Sequence, residues 1–196
     1  MSSDTDLEEN TEDDNTSDAE EILKTRGIYY ITGVLMEDTS LLDIQQDILL
    51  KIQDNFQNDL QIIVNSPGGL LDPFWALLAI INFAKSVGYK IHTTGLGTIA
   101  SVGAMLVAAG TTGCRKVTSD TMIMVHRMIG GTEGNHPALL SAMKAVTMEH
   151  KRMIHFWQTH SSLKTKKEIE SKLLTEQDNW LLPVEAKKLG IIDCII

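Results

Sequence analysis

From residue 28 to residue 126 the chain alternates short β-branched runs with segments of helical periodicity, and this alternation constrains the fold more than any single residue does. Ile28 to Leu35, Leu60 to Val64, Tyr89 to Thr94 and Met122 to His126 read as strands. After the first, Ser40 caps a helix whose apolar face is Leu41, Leu42, Ile44, Ile48, Leu49 and Ile52. After the second, Asp72 and Pro73 open a helix from Phe74 to Ser86, which Gly88 can end. Repeated strand-helix units close through right-handed crossovers and lay their strands side by side, so the expected fold is α/β with a mainly parallel, buried sheet. Further on, residues 138 to 160 form a long helical stretch with Leu139, Leu140, Met143, Val146, Met153, Ile154 and Trp157 on its apolar face. Such a methionine-rich stripe serves either the core or an interface. Pro183 and Gly190 bracket a last short helix before the strand-like Ile191 to Ile196.

Charge divides the chain unevenly. Residues 1 to 21 hold ten of its 26 acids and no base, leaving a nearly neutral body with 16 acids against 17 bases. A segment so acidic buries too little apolar area to offset its ordering entropy, so residues 1–23 are expected to be a disordered tail and residues 24–196 a single domain. The tail would either solubilise the chain or guard a pore or docking surface. Without basic clusters interleaved with aromatics, nucleic acid is not expected as a partner. No apolar stretch is long enough to cross a bilayer, and the amino terminus lacks the basic-then-apolar order of a secretory leader. Cys114 and Cys194 stand far apart, with no zinc-ligand spacing and no disulfide framework. A soluble protein in a reducing, cytoplasmic compartment, without a metal, is the expectation.

Within this frame one hydroxyl stands out. Gly95-Leu96-Gly97-Thr98-Ile99-Ala100-Ser101-Val102-Gly103-Ala104 follows a strand and precedes the apolar, helical Met105 to Ala109, setting Ser101 at a bend among small neighbours. Such a turn exposes Oγ and aims backbone N–H groups at the same point, as nucleophilic acyl chemistry requires. Asn65-Ser66-Pro67-Gly68-Gly69 lies just past another strand, where parallel sheets gather their functional loops, and its amides could hold an oxyanion or a peptide. His126 ends a hydrophobic strand, and an imidazole there can act as a base at neutral pH. His92, His136, His150, His155 and His160 lie mid-strand or on the long helix and read as structural. Spacing alone leaves Asp72, Asp120, Asp178 and Asp193 open as the acid that would orient His126.

These residues carry a resemblance. From about residue 25 onward the chain resembles the proteolytic subunits of the ATP-dependent Clp protease (ClpP). It rests on Ile31-Thr32-Gly33, the Asn-Ser-Pro-Gly-Gly run, Ile99 to Ala104, Met124-Val125-His126 with Gly130-Gly131, and Glu176-Gln177-Asp178-Asn179-Trp180 before Pro183-Val184-Glu185-Ala186. The resemblance implies the ClpP/crotonase-like fold with the long helix as a protruding handle. It further implies Ser101 as nucleophile, His126 as base and Asp178 as orienting acid. By the same similarity the oxyanion donors are the N–H groups of Gly69 and Val102, and Gly68, Gly130 and Gly131 contact substrate paired as an added strand. No metal or organic cofactor is implied; ATP would be consumed only by a partner unfoldase.

The architecture so implied is a homo-oligomer of heptameric rings stacked as a tetradecamer. Such a chamber is fed unfolded proteins by a ring-shaped AAA+ unfoldase of the ClpX or ClpA type. This chain departs from the family pattern in its acidic amino terminus, in Arg127-Met128 after the histidine, and at Leu70 to Trp75 and Lys164 to Lys167. Gln177 also stands where many members pair an arginine across rings. These mark a divergent member, cellular or viral. Two competing classes are a proteolytically silent ring subunit and a crotonase-like acyl-CoA enzyme; the latter needs paired amides but not Ser101, His126 and Asp178 together.

Overall fold

The computed structural model describes residues 12–36, 39–131 and 133–196. In chain order the elements are α1 (Glu12–Thr25), β1 (Ile28–Leu35), α2 (Thr39–Gln53), β2 (Leu60–Gly69), α3 (Leu71–Ser86), β3 (Ile91–Ala100) and α4 (Val102–Ala108). They continue with β4 (Arg115–Val117), β5 (Met122–Val125), α5 (His136–His160), α6 (Lys166–Lys172), β6 (Asn179–Leu181), α7 (Pro183–Lys188) and β7 (Cys194–Ile195). The sheet runs β1-β2-β3-β4-β7 with every one of those pairs parallel, so the expected α/β class is borne out.

β3 divides its partners. Its first half, Thr93 to Gly95, pairs with β4, whereas Thr98 to Ala100 pair with β5, and β5 continues into antiparallel β6. Leu60, Ile62 and Val64 of β2, Ile91 of β3 and Phe74, Leu77, Ile81 and Ala84 of α3 are all sealed from solvent in one core. All seven residues of α4 are buried, a short apolar helix driven into the core directly behind Ser101. Burying such side chains contributes about 1.5–3 kcal/mol each before entropy is counted, which is what drives so hydrophobic a segment inward.

Several boundaries differ from those the sequence suggests. β2 does not stop at Val64: after a register shift it runs through Asn65 to Gly69, because Gly68 and Gly69 pair with Val34 and Leu35 of β1. β3 likewise extends through Gly95 to Ala100, held by β5. Ser40 lies inside α2, which starts at Thr39, and the helix after β2 starts at Leu71, so Asp72 is a first-turn acid favoured by the helix dipole instead of a cap. The carboxyl end contributes only the two-residue β7.

The described part of the acidic segment is helical where disorder is expected. The last turn of α1 closes on itself: Lys24 bridges Glu20 at 2.9 Å, and Arg26 and Gly27 donate to the carbonyls of Leu23 and Lys24 before β1 begins. Residues 1–11 of that segment lie outside the described residues.

α5 is the longest element at 25 residues, opened by the Asn135 side chain accepting from the Ala138 N–H. Its buried residues are Met153, Ile154, Phe156 and Trp157. Leu140, Met143, Val146 and Met148, nearer its start, are exposed.

Candidate active site

The site is assembled where β3 gives way to α4. Ser101 occupies the one-residue bend with φ 54° and ψ −120°, a conformation that side-chain-bearing residues rarely adopt. Two contacts hold it there. The Ser101 N–H donates to the Met124 carbonyl at 2.8 Å, tying the bend to β5, and the Ser101 carbonyl accepts from the Met105 N–H at 3.1 Å, closing the first turn of α4. Strain maintained in this way is a feature of functional bends, since only the surrounding structure keeps it.

Gly68 and Gly69 make room for the bend. At Gly68, φ is +103°, and an added Cβ would lie 2.7 Å from the Ser101 Cβ and 2.8 Å from the Ala100 carbonyl oxygen. At Gly69 an added Cβ would lie 1.9 Å from the Leu35 carbonyl oxygen, so β1 and β2 approach as closely as glycine allows. Gly68 is therefore buried against the nucleophile candidate, with its N–H donated to Ser66 Oγ at 3.1 Å, and does not line the open pocket where substrate contact is expected. Ser66 is itself fixed by donating to the Gly33 carbonyl at 2.6 Å.

His126 follows the last residue of β5, which pairs with the carboxyl half of β3 and so delivers the imidazole to the bend. Its Nε2 lies 2.7 Å from Ser101 Oγ. That distance is a hydrogen bond of the length an alcohol and an acceptor nitrogen make. On the other side of the ring, Nδ1 is shielded from solvent and has no hydrogen-bond partner among the described residues. The nearest carboxylate oxygen, Oδ1 of Asp178, is 3.6 Å away on a half-exposed side chain.

The alternatives for that acid are placed elsewhere. Asp193 is bound to Arg115, Asp72 stands exposed in the first turn of α3, and Asp120 lies exposed in the turn after β4. Asp178 reaches His126 because it immediately precedes β6, the strand paired with β5. Among the remaining histidines, His92 and His150 contact Asp59 and Glu170 at 3.2 and 3.0 Å.

A pocket of about 310 Å³ opens beside Ser101 and His126. Gly69, Leu71, Met105, Met128, Met153 and Trp157 contribute to its lining, giving an apolar hollow at the foot of a polar pair. Val102 is buried one residue beyond Ser101 at the amino end of α4, where N–H groups have no partner within the helix. Gly130 and Gly131 are exposed in open space outside the pocket lining, which ends at Ile129, and they belong to no strand. The lining residues on α5 come from a stripe that spacing left open between core and interface: Met153 and Trp157 share one helical face, and the pocket is the gap beside it.

The sequence profile of the Clp protease family matches residues 9–196. The chain belongs to the Clp protease family. A curated relative, the ATP-dependent Clp protease proteolytic subunit 3, chloroplastic, of Arabidopsis thaliana, is 32% identical over 179 residues, covering 91% of this chain. The chain spans 56% of the length of that relative. The matched span of the Clp protease family contains the Ser101 bend, Gly68, Gly69, His126 and Asp178.

Proposed function

We propose that the chain is a serine-type endopeptidase subunit of the Clp type, cleaving peptide bonds of unfolded proteins or peptides. The observation that carries this reading is the 2.7 Å contact between Ser101 Oγ and His126 Nε2 at a strained strand-to-helix bend. In the proposed mechanism His126 takes the Ser101 proton as Oγ attacks the carbonyl carbon. The negative charge on the carbonyl oxygen is met by the N–H groups of Gly69 and Val102. Asp178 steadies the imidazole through Nδ1, His126 protonates the departing amine, and water then hydrolyses the acyl-enzyme with the same base. The apolar pocket would take the side chain on the acyl side of the scissile bond. No step calls for a metal or organic cofactor.

At the level of assembly, the proposal is a homo-oligomer of heptameric rings stacked as a tetradecamer in the cytoplasm, with an AAA+ unfoldase supplying substrate and consuming the ATP. Support comes from family membership and from the exposed apolar row on α5, which a lone subunit leaves in water.

The test is labelling with a fluorophosphonate, which needs an activated serine. Native protein is expected to label and Ser101→Ala to lose both the label and hydrolysis of an unfolded model protein, a fall of about 10³-fold or more. An unlabelled native protein in assembled form would mark a silent ring subunit or an acyl-CoA enzyme instead.

A further inference from the structure

A second concave surface lies away from the Ser101 pocket, along the seam between α3 and α5. Two hollows of about 470 and 540 Å³ share Asn82, Thr159 and His160, and so adjoin along this seam as a groove. At one end its walls are aromatic, from Trp75 and Phe156. Towards the other end it becomes basic, with Lys85, Lys90 and Arg115, while Arg152 sits at the aromatic end. Among the described residues, no aspartate or glutamate lines either hollow.

The basic groups are not all balanced. Arg115 is paired with Asp193 at 2.6 Å, and Arg152 lies over the Trp75 ring with Glu149 at 3.9 Å. Lys85 donates to the carbonyls of Ala109 and Gly110, and neither Lys85 nor Lys90 makes a salt bridge among the described residues. The carboxylate near Lys90, Asp59, is held by His92 and by the Lys90 backbone N–H. The groove thus carries a positive field with an unfilled apolar end, a combination suited to an acidic peptide with an apolar residue in it.

This chain contains such a peptide. Residues 1–11 hold Asp4, Asp6, Glu8 and Glu9 around Leu7, with no base. Eleven residues reach up to about 36 Å, longer than the groove needs for a few contacts.

We propose that the groove between α3 and α5 is the docking site of the acidic segment 1–11, with its carboxylates towards Lys85 and Lys90 and Leu7 towards the aromatic end. The contact is an exposed electrostatic one, so it weakens with ionic strength.

The experiment uses the full chain with Leu7 replaced by the photoreactive p-benzoylphenylalanine, irradiated and mapped by peptide mass spectrometry. Adducts are expected on α3 and α5 residues of the groove, with yield falling roughly tenfold in about 0.5 M salt. The same fall is expected when Asp4→Asn, Asp6→Asn, Glu8→Gln and Glu9→Gln are combined, changes that leave residues 12–196 untouched. Lys90→Glu, on an exposed side chain, should lower the yield as well. Mixing isotopically heavy and light chains distinguishes a segment docked on its own chain from one docked on a neighbouring copy, and either result supports the assignment. Adducts elsewhere, no adducts, or yields unchanged by salt and by all of these substitutions would overturn it.

Discussion

Gly68 is where one added carbon decides whether Ser101 can keep its bend. With φ at +103° and 2.7 Å between the would-be Cβ and the Ser101 Cβ, Gly68→Ala has to push Ser101 or unwind the end of β2. Either displacement breaks the 2.7 Å approach to His126. A misplacement of about 1 Å costs on the order of 100-fold in rate, so kcat/KM of Gly68→Ala is expected to fall at least that far while far-UV circular dichroism stays native. Unchanged kinetics would show that the bend tolerates movement. The sequence disclosed the serine and the glycines because small residues clustered after a strand have few other uses. It did not disclose which of the two glycines serves which purpose, since Gly68 supports Ser101 from behind while Gly69 faces the pocket, and that depends on the pairing of β2 with β1. Nor could spacing choose Asp178, which lies 52 positions beyond His126 and meets it only through the β5-β6 pairing.

At the scale of elements, β4, β7 and the end of α5 are fastened by one ion pair. Arg115 is almost fully buried, donating to Asp193 through Nε and Nη2 and to the His160 carbonyl through Nη1. Burial raises the Asp193 pKa, but the hydrogen bonds from Arg115 outweigh it and leave the carboxyl below its usual range. Removing one partner strands the other's charge, so Arg115→Met is expected to destabilise by about 3–5 kcal/mol in urea unfolding.

His160, next to this pair, works in the opposite sense. Burial, reinforced by Lys85 and Arg115, lowers its pKa from 6.5 to about 4. The unfolded chain therefore binds a proton that the folded chain refuses, and stability is lost as pH falls from 6.5 towards 4. Thermal scans of His160→Gln should show a flatter dependence across that window than the native protein; an identical slope would place the acid sensitivity elsewhere. Long, periodic α2, α3 and α5 were legible in the sequence. Short β4 and β6 were not, because three residues carry no period and exist only through their partners. α6 was announced by Thr165 and Glu168, whose side chains satisfy one another's backbone N–H groups, a start signal easily passed over among the lysines around it.

At the scale of the molecule, the exposed row on α5 is the feature that a single copy does not explain. Leu140, Met143 and Met148 are each about 60% exposed, whereas the next turns of the same helix are sealed in the core. Replacing Leu140→Glu and Met143→Glu together should leave the fold intact, since neither side chain packs inside. In sedimentation velocity the species should shift from the assembled form to smaller ones, with peptidase activity declining in parallel. A sedimentation profile identical to that of the native protein would assign the row no part in assembly. The sequence showed the stripe without saying which half meets the core, because both halves carry the same residue types.

One consequence follows from the position of β5. Four residues long, it steadies the serine bend through Met124, leads directly into the histidine, and supplies the partner along which the strand after Asp178 lies. Loosening that single ribbon would dismantle alcohol, imidazole and carboxylate together. A copy unfolded there would thus lose the whole arrangement in one step.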